Sequence, residues 1–185
     1  YRIQQLNDPK FTLIKNNASF LSPYKIKVGN SVLVANNFII ATGSTVAEFP
    51  IPGLAESGFL TSDDVLELRT IPESMIVLGA GPVAVELAQF FCRIGTQTTL
   101  IQRSDHVLSK GDLDLARPVE TRFREEGMKV FTGTKLLRVE KTKQNRTVFF
   151  THKGQEKSAT AKIILQALGR KPNINGLNLS AASVN

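Results

Sequence analysis

The sequence has one cysteine among its 185 residues, only two histidines and no long apolar run. A single thiol cannot form an intrachain disulfide, and a zinc site needs more ligands than one cysteine supplies. We therefore predict no metal site. Cys92 falls within a helical pattern, where a small buried hydrophobic residue is the usual role of a lone cysteine. No stretch approaches the roughly 20 apolar residues of a membrane-spanning helix, so we expect no membrane partner.

The net charge of +7 is unevenly distributed along the chain. Residues 1–70 carry six basic and six acidic side chains, whereas residues 71–185 carry 17 and 10. A nucleic-acid-binding surface would combine a basic stripe with interleaved aromatic residues. The basic residues here are mixed with acidic ones, as in residues 122–126, so we expect no nucleic-acid partner.

The segment from Ile76 to Glu86 has the pattern of a strand, a glycine turn and a helix start. In such a unit Gly79 permits the tight turn, Gly81 leaves room for a pyrophosphate, and Ala84 keeps the helix close to its strand. The first amides of the helix then face the phosphates. We predict a dinucleotide contact along consecutive residues: Gly79, Ala80, Gly81, Pro82, Val83 and Ala84.

A helix and a second strand are predicted directly after this turn. Apolar residues recur at helical spacing and form one stripe: Val83, Leu87, Phe90, Phe91 and Ile94. Ala84 and Ala88 are small and one turn apart, which suits close approach to a sheet, and Gly95 supplies a helix stop. Residues 98–101 then read as a strand, completing a β-α-β unit.

The end of the second strand indicates which dinucleotide fits. An acidic residue there would bind the ribose 2′-hydroxyl of NAD, and a basic one would accommodate the 2′-phosphate of NADP. The acidic residue is expected about 20 positions after the first glycine. Gln102 lies 23 positions after Gly79, and Arg103 and Ser104 follow it. The absence of an acid favours NADP, with NAD as the alternative.

The rest of the chain predicts an α/β fold: a Rossmann-like domain with a parallel sheet and an antiparallel β-meander. A second helix ends at Gly127 and has Pro118 in its first turn, unless it starts later. A third parallel strand follows at Met128–Phe131. Further strands are predicted at 11–15, 25–28, 32–40, 135–141, 146–152 and 158–165.

Three more motifs accompany the glycine turn, in a fixed order. They are Phe38–Ser44, which contains Ala-Thr-Gly; Thr61–Asp64, followed by Pro72; and Ala167–Asn173, which contains Gly-Arg-Lys-Pro-Asn. With this ordered set the chain resembles the pyridine nucleotide-disulfide oxidoreductases. These are FAD flavoproteins that include glutathione reductase, dihydrolipoamide dehydrogenase and mercuric reductase.

The resemblance implies a division of the chain and a set of cofactor contacts. Residues 1–50 would be a β-rich remnant of the FAD-binding domain with a linker, 51–170 the NAD(P)-binding domain, and 171–185 a return segment. Contacts to FAD or to the nicotinamide would come from these residues: Ala18, Thr42, Gly43, Glu86, Gly169 and Arg170. Asn16-Asn17-Ala18 stands where the family has Gly-x-Ala, and asparagine can still adopt the positive φ of that turn. Ser109 stands where glutathione reductases have a second arginine for the 2′-phosphate.

The activity implied by the resemblance is transfer of hydride from NAD(P)H to FAD, which reduces a disulfide or a related acceptor such as Hg(II). Residues 86–89 and 103–104 look most like those of the mercuric reductases. The redox cysteine pair would precede Tyr1 and the acid-base pair would follow Asn185, so we expect no catalytic residue in this chain. A cytoplasmic homodimer, formed through a domain outside the chain, is also implied. The alternative is a dinucleotide-binding module without catalysis, for example a redox sensor.

Overall fold

The computed structural model describes residues 10–184 and divides them into two compact units. The larger unit is Val46–Arg170, and the smaller one contains the described residues on either side of it. No helix in the described part of the chain is long and apolar enough to cross a membrane.

The smaller unit is built on a three-stranded antiparallel sheet. Its strands are β1 (Ala18–Ser22), β2 (Lys25–Val28) and β3 (Ser31–Val34), paired in the order β1-β2-β3. The turn at Gly29 has a positive φ of 58°. Phe20 is buried and meets the Phe38 ring edge-on at 5.3 Å between centroids. A short 3₁₀ helix at Leu179–Ala182 completes this unit.

Two predicted strands of this unit are wrong. Residues 11–15 form no strand, and of 32–40 only the part up to Val34 is one. A segment of high β propensity becomes a strand only beside a neighbouring strand that shares its hydrogen bonds. These segments pair with none among residues 10–184. Ile39 is 93% exposed, in agreement with a segment that has no neighbouring strand. Of the Phe38–Ser44 motif, only the last residue belongs to a strand, as the first residue of β4 (Ser44–Val46).

The larger unit alternates helices and strands and then forms a meander. In chain order its elements are α1 (Leu54–Ser57), a 3₁₀ turn (Val65–Glu67), β5 (Ser74–Leu78), α2 (Pro82–Arg93), β6 (Gln97–Ile101), α3 (Leu113–Glu125), β7 (Lys129–Phe131), β8 (Thr134–Lys141), β9 (Arg146–His152), β10 (Gln155–Ala161) and β11 (Ile163–Gln166). A last strand, β12 (Arg170–Pro172), pairs with β4 where the chain passes from one unit to the other.

A parallel sheet forms the middle layer of the larger unit. Its order is β11-β5-β6-β7, so the strands lie fourth, first, second and third in chain order, as in a doubly wound fold. Successive side chains of β5 alternate between two cores. Met75 and Val77 pack with α2 and α3, whereas Ile76 and Leu78 pack with the antiparallel sheet β10-β9-β8. The predicted fold class is confirmed.

The predicted stripe of α2 is buried only in part: Phe91 lies in the core and Leu87 packs against it, as predicted. Val83, Phe90 and Ile94 are 43%, 49% and 37% exposed, whereas the buried residues are Ala84, Val85, Ala88 and Phe91. Both sets repeat at helical spacing. The small alanines allow the helix to lie close to the sheet, and this close approach fixes the orientation of the helix about its axis. Gly95, with a φ of 104°, follows the last turn as predicted.

Two further predictions about this unit are wrong. Pro118 lies in the interior of α3, at its sixth residue, where it removes the backbone bond to Asp114. Burial of Ala116 and Phe123 against the sheet keeps the helix continuous through this position. The predicted strand 158–165 is two strands, because the chain leaves the meander after Ala161. Ile164 and Leu165 are fully buried beside β5 in parallel register, since both sheet faces are covered there.

Glu126 joins the ends of α2 and α3. Its carboxylate accepts bonds from Arg93, with an Nη2–Oε1 distance of 2.6 Å, and from Gln89 at 3.0 Å. These hydrogen bonds, together with the charge of Arg122, hold the pKa of Glu126 below its ordinary value of 4.5. A carboxyl whose pKa is lowered by folding stabilises the native state above its unfolded pKa. That contribution is lost as the pH falls through the folded value.

We expect Glu126→Gln to lower the melting temperature at pH 7 by about 1–3 °C, because it removes a partly screened ion pair. The difference from wild type should disappear as the pH falls below about 4.5. Glu125→Gln is the matched control, because Glu125 pairs only with Arg122 at 3.2 Å, among the ion pairs of residues 10–184, and is exposed. Equal melting temperatures of the two variants at pH 7, measured by circular dichroism, would contradict the role given to Glu126.

Candidate functional site

Gly79 makes the closest backbone approach at the end of β5. Its φ is 99°, and a Cβ built on it would lie 2.5 Å from the carbonyl oxygen of Ala167. Its N–H donates to the carbonyl of Ile101 at 2.8 Å. The ends of β5, β6 and β11 therefore meet around this glycine, and no other residue fits there without moving backbone.

Gly81 has a different role, because its φ of −72° suits any residue. A Cβ at this position would meet nothing within 4 Å, so the space in front of it is open. The 12-residue helix α2 starts directly after it, has proline in its first turn and receives no side-chain cap. The amides of Val83 and Ala84 lie at this uncapped terminus, where an anion is favoured. The open space and the uncapped amides fit a pyrophosphate.

A cavity of about 160 Å³ lies over this terminus, entirely within the larger unit. One wall is the start of α2, and the other is the chain that leaves β11. The lining residues are Val46, Ser62, Gly81, Pro82, Val83, Ala84, Gln166, Ala167, Gly169 and Arg170. The structure thus brings together the predicted glycine turn and the predicted Gly169-Arg170 pair.

Gln102 extends β6 and is held firmly. Its N–H donates to Phe131 at 2.8 Å, and its carbonyl accepts from both the N–H and the hydroxyl of Thr134. The side chain is buried and lies 3.5 Å from the hydroxyl of Ser109. Arg103, by contrast, is exposed. Of the residues predicted to contact the 2′ position, Arg103 is the one that presents a charge to solvent.

The loop between β6 and α3 is anchored to the glycine turn by residues that the motif did not reveal. Val107 is fully buried, and its N–H donates to the Glu120 carboxylate at 3.0 Å. The N–H of Leu108 donates to the carbonyl of Ala80 at 2.8 Å, and Leu108 has a φ of 51°. A valine and a leucine amid polar residues are the only sequence signals of this anchoring. The loop carrying Arg103 is therefore fixed relative to the turn.

Arg170 lies in the cavity wall and is ion-paired. Its guanidinium donates to both carboxylate oxygens of Asp63, at 3.0 and 3.2 Å from Nη1, and to the hydroxyl of Ser62. Asp64, the next residue, accepts from the hydroxyl and the N–H of Thr61, and these bonds lower its pKa. The Thr61–Asp64 motif is thus a hydrogen-bonded turn that holds a carboxylate against Arg170.

Glu86 is placed one turn beyond Val83 on the exposed face of α2. It does not line the cavity over the glycine turn. It lines a second cavity of about 380 Å³ between α2 and α3, together with Gln89, Pro118 and Arg122 among others. Its role near a nicotinamide stays a prediction.

The remaining predicted contacts lie in the smaller unit. The carbonyls of Thr42 and Gly43 accept bonds from the side chain and backbone of Asn173, at 3.2 and 3.0 Å. Two of the sequence motifs are therefore joined. Ala18 begins β1 and is half-buried. Neither Asn16 nor Asn17 adopts a positive φ, so the expected turn is not made in that way; the Asn16 side chain instead accepts from the N–H of Asn17.

The family model described as pyridine nucleotide-disulphide oxidoreductase matches residues 2–185. The chain belongs to this family. Curated relatives include mercuric reductase of Staphylococcus aureus, 35% identical over 98% of the chain and 33% of the relative. Dihydrolipoyl dehydrogenase of Bacillus subtilis is 34% identical over 93% of the chain and 38% of the relative. The chain spans about a third of the length of these relatives.

Solved structures agree with this membership. The HOCl-induced flavoprotein disulfide reductase RclA from Escherichia coli has a TM-score of 0.83 and 25% identity, over 99% of the chain and 42% of that protein. The predicted resemblance is confirmed at the level of the family and the fold.

The two glycines of the turn provide a matched pair of substitutions. Gly79→Ala should destabilise the fold by about 1–3 kcal/mol through backbone strain at a positive φ. Overlap of the new Cβ with the carbonyl oxygen of Ala167 adds to this loss. Gly81→Ala should leave the free energy of unfolding nearly unchanged, since its Cβ enters open space. Urea denaturation of both variants measures the difference, and equal midpoints would refute the assignment of roles.

Proposed function

We propose that the larger unit binds NAD(P)H, with NADP preferred, within an FAD-dependent oxidoreductase. The open space in front of Gly81, next to the uncapped amides of α2, is the observation that carries this proposal. A ligand placed there would set its pyrophosphate against the positive end of the helix dipole. Family membership supports a pyridine nucleotide as that ligand.

The contacts proposed for the dinucleotide follow from the turn outward. The backbone from Gly79 to Ala84 would face the pyrophosphate. Arg103 and Ser104 would face the 2′ position of the adenosine ribose, because they follow the second strand of the βαβ unit. Gly169 and Glu86 are proposed to position the nicotinamide. The proposed preference for NADP over NAD therefore depends on one exposed arginine, Arg103.

The smaller unit is proposed as part of an FAD-binding domain, with Ala18, Thr42 and Gly43 as contacts. When bound, NAD(P)H supplies a hydride and FAD accepts it. The side chains of this chain would bind and orient these groups. Burial, and then the charge of Glu126, raises the pKa of the Cys92 thiol, so this thiol is not an activated nucleophile.

We further propose that the electron acceptor is a disulfide or a related species such as Hg(II). Relatives named mercuric reductase and dihydrolipoyl dehydrogenase support this class. The groups that reduce it, and the surface that forms a cytoplasmic homodimer, are proposed to lie in parts of the protein that this chain does not contain. Anaerobic mixing of the intact protein with NADPH tests the proposal: bleaching of flavin absorbance is expected, and an unchanged spectrum would contradict it.

Gly81→Val should abolish binding of both NADPH and NADH, because its side chain would occupy the space proposed for the pyrophosphate. The backbone at Gly81 is extended, with φ and ψ of −72° and 177°, which valine adopts readily. The fold should therefore persist. Calorimetric titration of the intact protein measures binding, with the circular dichroism spectrum as control. Undiminished affinity would place the dinucleotide elsewhere.

Arg103→Glu should shift the preference of the intact protein from NADPH toward NADH. It removes a charge-assisted contact to the 2′-phosphate and offers an acceptor to the 2′-hydroxyl. We expect the ratio of the two dissociation constants to change by about 10- to 100-fold. Arg117→Glu is the control, since it makes the same change of charge on the exposed side of α3. A ratio that stays within about twofold of wild type would contradict the role of Arg103.

A further inference from the structure

Gln166 is a buried polar residue with an unused acceptor. It is the last residue of β11 and only 3% exposed. Its side-chain Nε2 donates to the carbonyl of Ala47 at 3.0 Å. Its Oε1 is buried and has no hydrogen-bond partner in the described structure. A buried amide oxygen without a partner is costly, and native proteins seldom leave one unsatisfied.

The orientation of this amide is fixed by its neighbour. A carbonyl only accepts hydrogen bonds, so Ala47 requires the nitrogen of the Gln166 amide on its side. The oxygen must then point the other way. Gln166 lines the cavity over the glycine turn, together with Gly81 and Val83. Gln166 therefore brings to the wall of this cavity an acceptor oxygen with almost no exposed surface, which nothing in residues 10–184 uses.

The order of the parallel sheet determines which half of a dinucleotide reaches Gln166. Arg103 follows β6, the glycine turn follows β5, and Gln166 ends β11, in the order β11-β5-β6. Adjacent strands are about 4.8 Å apart, so Gln166 and Arg103 lie on opposite sides of the turn. With the adenosine ribose at Arg103 and the pyrophosphate at Gly81, the nicotinamide half extends toward Gln166.

We propose that Oε1 of Gln166 accepts a hydrogen bond from the nicotinamide riboside half of the dinucleotide. This inference rests on the proposed function. Two groups of that half are hydrogen-bond donors: the carboxamide N–H₂ and the ribose hydroxyls. The residue acts as a positioning residue for the reacting end of the coenzyme, at a place where the neighbouring positions of β11 are apolar.

The test compares a full coenzyme with a ligand that lacks the nicotinamide half. In the intact protein, Gln166→Leu should weaken NADP⁺ binding about tenfold and leave binding of 2′,5′-ADP unchanged, both measured by calorimetry. Gln166→Met fills the same volume and should behave alike. Gln97→Leu is the matched control and should change neither affinity, because Gln97 is the exposed first residue of β6 and lies at the amino ends of the strands.

Each outcome distinguishes the inference from the proposed function. Unchanged NADP⁺ affinity in both variants, or equal loss for NADP⁺ and 2′,5′-ADP, overturns the role of Gln166. Failure of the wild-type protein to bind either ligand overturns the proposed function instead. The 3-acetylpyridine analogue of NADP⁺ lacks the carboxamide N–H₂. If the effect of the substitution vanishes with this analogue, the donor is the carboxamide, and if it persists, the donor is a ribose hydroxyl.

Discussion

The contact between Gly79 and the carbonyl of Ala167 is the constraint on which the candidate site depends. The backbone of the turn after β5 can lie this close to the chain leaving β11 only because no Cβ intervenes. The same turn receives a bond from Leu108 on its other side, through the carbonyl of Ala80. One glycine thus brings three chain segments together at the carboxyl edge of the sheet, where α/β proteins bind their ligands. The cavity is a consequence of that close approach.

The electrostatic potential of the candidate site is set at the start of α2, directly after the glycine turn. The start of α2 has neither a side-chain cap nor an acidic residue in its first turn, so its positive end is uncompensated. Proline in the first turn fixes the backbone at the cost of one donor. Arg170, a cation that lines this cavity, is paired with Asp63. The attraction for an anion therefore comes from backbone amides, and Arg103 adds charge only at the far side of the turn.

Local patterns predict the β-α-β unit well because its signals are close together in sequence: a run of apolar strand residues, glycines at the spacing of the motif, and two alanines one helical turn apart. The errors arose where a distant partner decides the outcome. Residues 11–15 look like a strand but have no ladder partner among the described residues, and the chain after Ala161 changes sheets because β5 offers a buried edge. Pro118 shows the same effect in a helix, where burial of Phe123 outweighs a lost backbone bond. The exposed Phe90 was assigned to the wrong face because two stripes of equal period compete.

Gln102 and Gln166 show why residue type alone did not identify the contacts of the site. Each is a buried glutamine directly after two apolar residues at the carboxyl end of a parallel strand, so the two have similar sequence surroundings. The backbone of Gln102 is bonded on both sides, and its side chain turns toward Ser109. Gln166 uses its nitrogen on Ala47 and leaves its oxygen unused. Folding alone gains nothing from burying that oxygen, whereas a bound donor would recover the lost hydrogen bond. The difference between the two residues therefore lies in their partners, which only the tertiary structure reveals.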